Sequence, residues 1–360
     1  MHTRIFLVLA VILFIAALSG CGAIRRARIN SPYVIEQKAP SLSTFKPDTI
    51  IVEISDIQCR NEEECKSLDP AFDNVNNIFK PYPDARTFLF VLGDITDNSE
   101  ELQIQDYFQK EARVHVDGVY RICGNHDVKG NLKQCQKLAS DGLYYKVEIG
   151  NIVLIGLSNW HADAYKSINL QRYIPDDSLE FLREEGMQAL REGKLLFILT
   201  HEKPAGVAWM SDPRSLLFWK KYNKSNVYNS DTLKKVLSEF SRYAEMHCEE
   251  GMCVVYNSGH TQTPSHWPDT VIVDDGILYI NTSAIQTTNN EHDLKRYSPF
   301  GFRTLGKLLR KIFPWNEYSS VRVWFFEDGS DTAYLLTRNL TKDRWFNFAY
   351  RVRLNVPFKK

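Results

Sequence analysis

The sequence has no excess of charge of either sign, since 44 Lys and Arg residues balance 44 Asp and Glu residues. A protein that binds nucleic acid usually carries a basic excess or a basic groove. The balance therefore gives no support to a nuclease, and no nucleic-acid partner is expected. Hydrophobic residues make up 44% of the 360-residue chain and charged residues 24%, which is typical of a globular protein with a full core.

The apolar run near the start, Ile5 to Leu18, is too short to cross a bilayer, which takes roughly 20 residues. It has instead the length of a secretory signal core. The following Leu18-Ser-Gly-Cys21 resembles a bacterial lipobox, which implies cleavage before Cys21 and lipidation of that cysteine, and Gly22 resembles lipoproteins of the outer membrane. We therefore expect residues 1–20 to be a signal peptide and the mature protein to be anchored by lipid at the bacterial cell envelope, at the outer membrane and facing the periplasm. An uncleaved N-terminal anchor is the alternative.

The cysteines lack the Cys-x-x-Cys spacing that is typical of a thiolate zinc site. Once Cys21 is set aside, six of the seven cysteines remain, and an even number in an exported chain favours disulfide bonds. A thiolate zinc site is the competing interpretation. Proximity in sequence favours three bonds, which join Cys59 to Cys65, Cys123 to Cys135, and Cys248 to Cys253.

Residues 21–48 are rich in proline, serine and threonine, and three arginines stand near their start. This composition predicts a tether that holds the folded part away from the membrane, with the arginines close to anionic lipid. Plain disorder is compatible with the same role. We expect one folded domain at residues 49–356, with loop insertions at 203–230 and 286–318.

Five apolar runs with strand character end in residues that can bind metal ions. The runs and the polar residues after them are Thr49–Ser55 with Asp56 and Gln58, Phe88–Leu92 with Asp94 and Asp97, Gly118–Cys123 with Asn125, His126 and Asp127, Leu195–Thr200 with His201, and Cys253–Ser258 with His260 and Gln262. Continuous apolar runs are typical of buried parallel strands. Open α/β sheets place ligand sites at the carboxyl ends of such strands.

The rest of the chain alternates between helical and strand patterns. Helices are predicted from Asp69 to Phe79, from Ser99 to His115, from Asp177 to Glu192 and from Ser230 to His247, and further strands at 144–149, 152–157, 271–285, 321–326, 333–338 and 346–356. No internal repeat is visible. This alternation predicts an α/β fold, a single four-layer α/β/β/α sandwich of two mixed sheets with helices outside.

The five motifs, in this order, resemble those of the calcineurin-like metallophosphoesterases. The pattern of that family is Asp-x-His, Gly-Asp-x-x-Asp, Gly-Asn-His-Asp/Glu, a lone His and Gly-His-x-His, each after a strand. The resemblance covers roughly residues 49–262 and implies the same sandwich fold and a metal-dependent phosphoesterase. Two positions depart from the pattern, because Gln58 and Gln262 stand where the family has histidine.

The resemblance also implies a role for each site residue. It implies two divalent metal ions with Asp94 between them, one ion completed by Asn125, His201 and His260 and the other by Asp56, Gln58 and Gln262. It further implies that His126 protonates the leaving group and that Asp97 orients His126. A carboxamide oxygen is a harder and weaker donor than imidazole, so Mn²⁺ or Mg²⁺ is favoured at the glutamine-containing site, while Mn, Fe or Zn fits the other.

These features predict a metal-dependent hydrolase of phosphoester bonds, either a phosphomonoesterase or a phosphodiesterase, whose partner is a small phosphorylated substrate. A pseudoenzyme of the same fold, which binds a phosphorylated ligand or a protein partner without turnover, is the alternative. The presence of both His126 and Asp97 favours the enzyme, since neither is needed merely to hold a metal ion.

Two further segments have two interpretations each. Residues 204–229 combine aromatic and basic side chains after His201, which indicates either a substrate wall or a packed surface loop. Residues 302–313 have the apolar spacing of a basic amphipathic helix, which fits either an anionic membrane surface or an ordinary core-facing position.

Overall fold

The computed structural model describes residues 31–60, 68–207, 226–260, 270–285, 319–340 and 342–360. The predictions for Cys21, Cys65, Gln262, the segment 302–313 and most of the segment 204–229 lie outside these ranges. The described strands form two mixed sheets, one of seven strands and one of six.

In chain order the described strands are β1 (Val34–Lys38), β2 (Thr49–Ile54), β3 (Arg86–Leu92), β4 (Gly118–Ile122), β5 (Tyr144–Ile149), β6 (Ile152–Leu157), β7 (Leu195–Leu199), β8 (Val254–Ser258), β9 (Val271–Asp274), β10 (Ile277–Asn281), β11 (Ser320–Phe326), β12 (Thr332–Asn339) and β13 (Arg344–Arg353). The larger sheet has the order β1-β13-β12-β11-β2-β3-β4, and the smaller has the order β5-β6-β7-β8-β10-β9. Strands β2, β3 and β4 are mutually parallel, as are β6, β7, β8 and β10. Each sheet therefore delivers several carboxyl ends to one edge.

The described α-helices are α1 (Asp69–Phe79), α2 (Glu101–Glu111), α3 (Leu132–Leu138), α4 (Asp176–Arg191) and α5 (Ser230–His247). Local sequence explains several of their starts. Helix α1 has a proline in its first turn, and α3 begins at a capping box between Asn131 and Gln134. Helix α4 opens with Asp176 and Asp177, whose negative charges are favourable at the positive end of the helix dipole.

Alternating side chains along each central strand divide the interior into three apolar layers. Leu89 and Val91 of β3 pack in a core with α1 and α2, whereas Phe88 and Phe90 lie in the core between the two sheets. The side chains of β7 alternate in the same way, towards the first sheet and towards α4 and α5. The order is therefore helix, sheet, sheet, helix, and the predicted four-layer sandwich is confirmed.

The N-terminal boundary of the domain differs from the prediction. Residues Val34–Lys38, expected within a tether, pair with β13 as an edge strand of the larger sheet. Phe45 is also buried, with its ring stacked on Phe325 at 5.3 Å. The tether prediction is therefore wrong for this part of the chain. The prediction rests on local composition, which three prolines dominate. The strand is instead stabilised by pairing with β13, which is distant in sequence.

Two of the expected disulfide bonds are present. Cys123 is bonded to Cys135 and Cys248 to Cys253, with Cα–Cα distances of 6.1 and 6.2 Å. The bond between Cys59 and Cys65 stays a prediction, because Cys65 lies outside the described residues. Within the described ranges, no helix combines the length and the apolar character needed to span a membrane.

Candidate metal centre

The candidate site lies where the carboxyl ends of the two sheets meet. Backbone hydrogen bonds join the loops within each sheet: Asp56 N donates to Gly93 O at 3.1 Å, and Gly259 N donates to His201 O at 3.0 Å. The ring of His201 links the two sheets. Its Nδ1 lies 2.7 Å from the carbonyl oxygen of Leu92, at the end of β3 in the other sheet. A carbonyl oxygen only accepts, so Nδ1 of His201 carries a proton, and Nε2 is the ring nitrogen that faces the other candidate ligands.

Asp94, His201 and His260 form a cluster whose ligand atoms all lie within 4.8 Å of one another. His201 Nε2 is 3.2 Å from Asp94 Oδ2 and 3.1 Å from His260 Nδ1. Asp94 and His201 are buried, and the side chain of His260 is 13% exposed. One carboxylate oxygen and two ring nitrogens at this spacing are donors that suit a divalent transition-metal ion.

Glycine allows the backbone to approach the cluster closely. A Cβ atom on Gly124 would lie 2.4 Å from Asp94 Oδ1 and 2.8 Å from His201 Cγ, so any side chain there would displace the ligands. Gly93 has a φ of +79°, and its Cβ would lie 2.7 Å from Gly124 N. The glycines of the second and third motifs are thus required by this packing.

Several ligand candidates have left-handed backbone conformations. Asp56, Gln58, Asp94 and His260 have φ values of 51°, 45°, 52° and 63°. This conformation is unfavourable for a residue with a Cβ, by about 1–2 kcal/mol. Such strain clusters at functional sites, where the surroundings hold it in place.

Asp56 and Gln58 lie beside the cluster. Asp56 Oδ2 accepts hydrogen bonds from Ser55 Oγ at 2.7 Å and from His260 N at 2.8 Å. Gln58 Nε2 donates to Asp94 Oδ2 at 3.1 Å. Gln58 therefore contacts the Asp94 carboxylate through its amide nitrogen.

Asn125 and Glu202 provide buried oxygens that fit a cation. Asn125 Oδ1 and Glu202 Oε1 are buried, and neither has a hydrogen-bond partner in the part of the chain that the structure describes. A buried oxygen without a donor is costly unless an ion or another polar group meets it. Both oxygens are therefore candidates for an additional contact to an ion at the cluster.

His126 lies beside the cluster without belonging to it. His126 N donates to Asp94 Oδ1 at 2.7 Å, and Nε2 lies 4.0 Å from Asp94 Oδ2. Its other ring nitrogen, Nδ1, is 2.9 Å from Asp97 Oδ1. Burial lowers the pKa of His126, but Asp94 and the hydrogen bond to Asp97 outweigh burial and raise the pKa above its usual value. The ring is thus favoured in its protonated form next to the cluster.

The electrostatics of the cluster favour the metal-binding forms of Asp94 and His260. For His201, by contrast, burial lowers the pKa, but Asp94 and Glu202 outweigh burial and raise it well above its usual value. Burial raises the pKa of Asp94, but the neighbouring His201 and His126 lower it strongly, so the carboxylate stays ionised. Burial lowers the pKa of His260, and His201 lowers it further, so that ring stays neutral. An ionised carboxylate and a neutral imidazole are the forms that bind metal ions.

The sequence patterns missed four residues around the site. Asp127 belongs to a quoted motif without an assigned role, yet its carboxylate accepts hydrogen bonds from the backbone of Ile95, Thr96 and Gly124 and so joins two motif loops. Arg60 Nε lies 3.2 Å from Asp97 Oδ2, and Lys129 Nζ donates to Asp97 O at 3.1 Å. Glu202 follows His201 directly. The only sequence signal for its place at the site is that the polar stretch after β7 continues beyond His201.

No family model matches the sequence, and no curated protein matches it either. Solved structures do match. A dimetal phosphatase from Danio rerio aligns with 12% identity over 86% of this chain and 98% of that protein, with a TM-score of 0.50. A purple acid phosphatase from yellow lupin seeds aligns with 12% identity over 84% of this chain and 53% of that protein, with a TM-score of 0.45. Both neighbours are members of the calcineurin-like metallophosphoesterase superfamily. The similarity to the Danio rerio protein confirms that the chain has the metallophosphoesterase fold.

Proposed function

We propose that this protein is a metal-dependent hydrolase of phosphoester bonds, anchored at the bacterial cell envelope. The observation that supports the reaction best is the position of His126. Its Nε2 lies 4.0 Å from the carboxylate of the Asp94 cluster, while its Nδ1 is held by Asp97. A proton donor next to a metal site, but not part of it, suits the departure of an alkoxide or phenoxide.

The proposed ligand sets are those that the family resemblance implies. Asn125, His201 and His260 would hold one ion with Asp94, and Asp56 with Gln58 would face a second ion. When bound, such ions neutralise the phosphoryl oxygens and generate a nucleophile from water at neutral pH. Gln262 remains a proposed ligand of the second ion.

Side chains of the protein then protonate the leaving oxygen. His126 Nε2 delivers its proton, and Asp97 keeps the ring oriented and stabilises its positive charge. Burial raises the pKa of Asp97, but the hydrogen bond to His126 and the charges of His126, Arg60 and Lys129 outweigh it and lower that pKa. Asp97 thus stays ionised, as an orienting carboxylate must.

A pseudoenzyme that binds a phosphorylated ligand or a protein partner is the second candidate. The hydrogen bond from Gln58 Nε2 to Asp94 Oδ2 favours it, because this bond engages an oxygen that a second ion would need. With glutamine also at position 262, the second ion would be held weakly.

The deciding experiment measures hydrolysis of an aryl phosphomonoester and an aryl phosphodiester by the mature protein without its lipid. Each substrate is tested with Mn²⁺, Mg²⁺, Zn²⁺ and Ca²⁺, and bound metal is counted in parallel. Turnover with at least one ion is the expected result. A protein that binds metal but turns over neither ester under any ion would favour the pseudoenzyme.

A further inference from the structure

Glu202 is a buried carboxylate whose two oxygens differ in their contacts. Its exposed fraction is 0%, and Oε2 accepts a hydrogen bond of 2.6 Å from Asn159 Nδ2. Oε1 is buried and accepts no hydrogen bond from the residues that the structure describes. Burying a carboxylate is unfavourable unless its charge is met by a cation or by donors to both oxygens.

The free oxygen lies within reach of one donor of the cluster, although Glu202 itself is not among the three residues whose ligand atoms all lie within 4.8 Å of one another. Oε1 of Glu202 is 4.0 Å from Nδ1 of His260, which is one of the clustered metal donors. Two donors on the same ion lie at most about 4.2 Å apart, twice a metal–ligand bond of about 2.1 Å. The two atoms can therefore bind one ion from widely separated directions.

The neighbourhood of Glu202 holds its backbone and side chain in place. The backbone carbonyl accepts hydrogen bonds from Thr200 Oγ1 at 2.8 Å and from Tyr256 OH at 3.0 Å, both within the buried interior. Asn159 fixes the outer oxygen of the side chain. Preorganisation of this kind is typical of metal ligands and their supporting groups.

Arg172 is the cation that would otherwise explain the burial of this carboxylate. Burial raises the pKa of Glu202 above its usual value, and the charges of His201 and Arg172 oppose burial only in part. Oε1 nevertheless receives no hydrogen bond from Arg172 or from any other described residue.

We infer that Glu202 is an additional ligand of the ion held by Asn125, His201 and His260. This inference rests on the metal centre of the proposed function and adds one anionic oxygen to an otherwise amide and imidazole side of the site. Carboxylate ligands favour Mn²⁺ and Mg²⁺, whereas imidazole suits Zn²⁺. Glu202 would therefore shift the metal preference of this site from Zn²⁺ towards Mn²⁺. At the second site, glutamines already stand where the family has imidazole ligands.

The test compares metal affinities of the mature wild-type protein and Glu202→Gln by equilibrium competition with a chelating dye. Glutamine keeps the size of the side chain, and its oxygen can still accept from Asn159. The variant should bind Mn²⁺ at least about 10-fold more weakly and Zn²⁺ with a smaller loss, so the ratio of the two affinities changes. Affinities for both ions within twofold of the wild type would overturn the assignment.

The matched control is Glu53→Gln, which removes another fully buried carboxylate. Both oxygens of Glu53 have donors, Trp324 Nε1 at 2.9 Å and Thr282 Oγ1 at 3.0 Å, so its loss should leave both metal affinities unchanged. If both variants lost affinity for Mn²⁺ and Zn²⁺ by the same factor, the cause would be a general loss of packing. That result would overturn the assignment as well.

A second measurement does not depend on any variant. A crystal structure of the wild-type protein loaded with Mn²⁺ should place the ion about 2.0–2.6 Å from Oε1 of Glu202. A distance beyond 3 Å, by the ordinary limits of coordination, would overturn the assignment while leaving the proposed function intact. A wild-type protein that binds no divalent ion would instead contradict the proposed function itself.

Discussion

The ring of His126 is held by Asp97, with Nδ1 of the ring 2.9 Å from Oδ1 of the carboxylate. Nδ1 also lies 2.8 Å from Lys129 Nζ, and Nε2 lies 4.0 Å from Asp94 Oδ2. The backbone N–H of His126 binds Asp94 independently of the side chain. The proton donor can therefore be removed by mutation without removing a hydrogen bond from the shared carboxylate.

The first prediction follows from this separation. His126→Asn should lower kcat by roughly 10²–10⁴-fold for an ester with a poor leaving group, because the leaving oxygen then departs without a proton. An ester with a good leaving group should be affected much less. Steady-state kinetics on both esters, with the bound metal measured on the same samples, tests the separation.

Asp97→Asn is the matched control for the orienting role, since it keeps the shape of the carboxylate and removes its charge. It should reduce kcat in the same direction and leave the metal content unchanged. If His126→Asn loses metal in proportion to activity, His126 is a ligand and its assignment as the acid is wrong.

Much of the site could be predicted from the sequence, because each ligand candidate follows a buried strand directly. The parallel arrangement of β2 with β3 and of β7 with β8 then brings the strand ends together. The edge strand β1 was missed because its partner, β13, lies at the other end of the chain. Glu202 was missed because no pattern shows that a buried oxygen lacks a donor.

The second prediction concerns stability and pH. Burial raises the pKa of Glu53 from 4.5 to about 7, and the hydrogen bonds from Thr282 and Trp324 and the charge of Arg322 only partly oppose it. The folded protein therefore holds this proton to higher pH than the unfolded chain does. The stabilisation is complete below pH 4.5 and is lost as the pH rises to about 7, by roughly 3 kcal/mol in all.

Glu53→Gln carries no titrating proton, so this loss should disappear in the variant. Urea unfolding of metal-free protein at pH 5 and pH 8 measures the difference, and the exposed Glu184→Gln serves as the control. The free energy of unfolding should fall less between these pH values for Glu53→Gln than for the control. The same fall in both variants would show that Glu53 does not hold its proton in the folded protein.

The third prediction concerns the membrane anchor proposed from the lipobox-like sequence. Cys21→Ser removes the thiol that would receive the lipid, so the protein should move from the membrane fraction to the soluble periplasmic fraction or stay unprocessed. Labelling with a radioactive fatty acid should be lost at the same time. Cys59→Ser leaves the lipobox intact and should remain in the membrane fraction. Unchanged fractionation and labelling of Cys21→Ser would exclude the lipid anchor.

The last prediction addresses the glutamines that separate this chain from the family pattern. Gln58 Nε2 donates to Asp94 Oδ2, so the amide is engaged with the carboxylate that both ions would share, and a carboxamide oxygen is a weaker donor than imidazole. Purified wild-type protein should therefore retain one ion per chain through dialysis and bind the second only when Mn²⁺ or Mg²⁺ is in excess.

Gln58→His restores an imidazole at this position and should raise the affinity of the second ion by 10-fold or more, an effect on the order of those seen for metal-site residues. The variant should retain more than one ion per chain after dialysis. Zn²⁺ should make up a larger fraction of its bound metal than in the wild type. Gln188→His, on the exposed face of α4, adds a histidine away from the site and should leave metal content unchanged. Metal analysis after dialysis decides the question. If the wild-type protein instead held two zinc ions tightly, the replacement of imidazole by glutamine would have no effect on the second ion. The account of the glutamines would then be wrong.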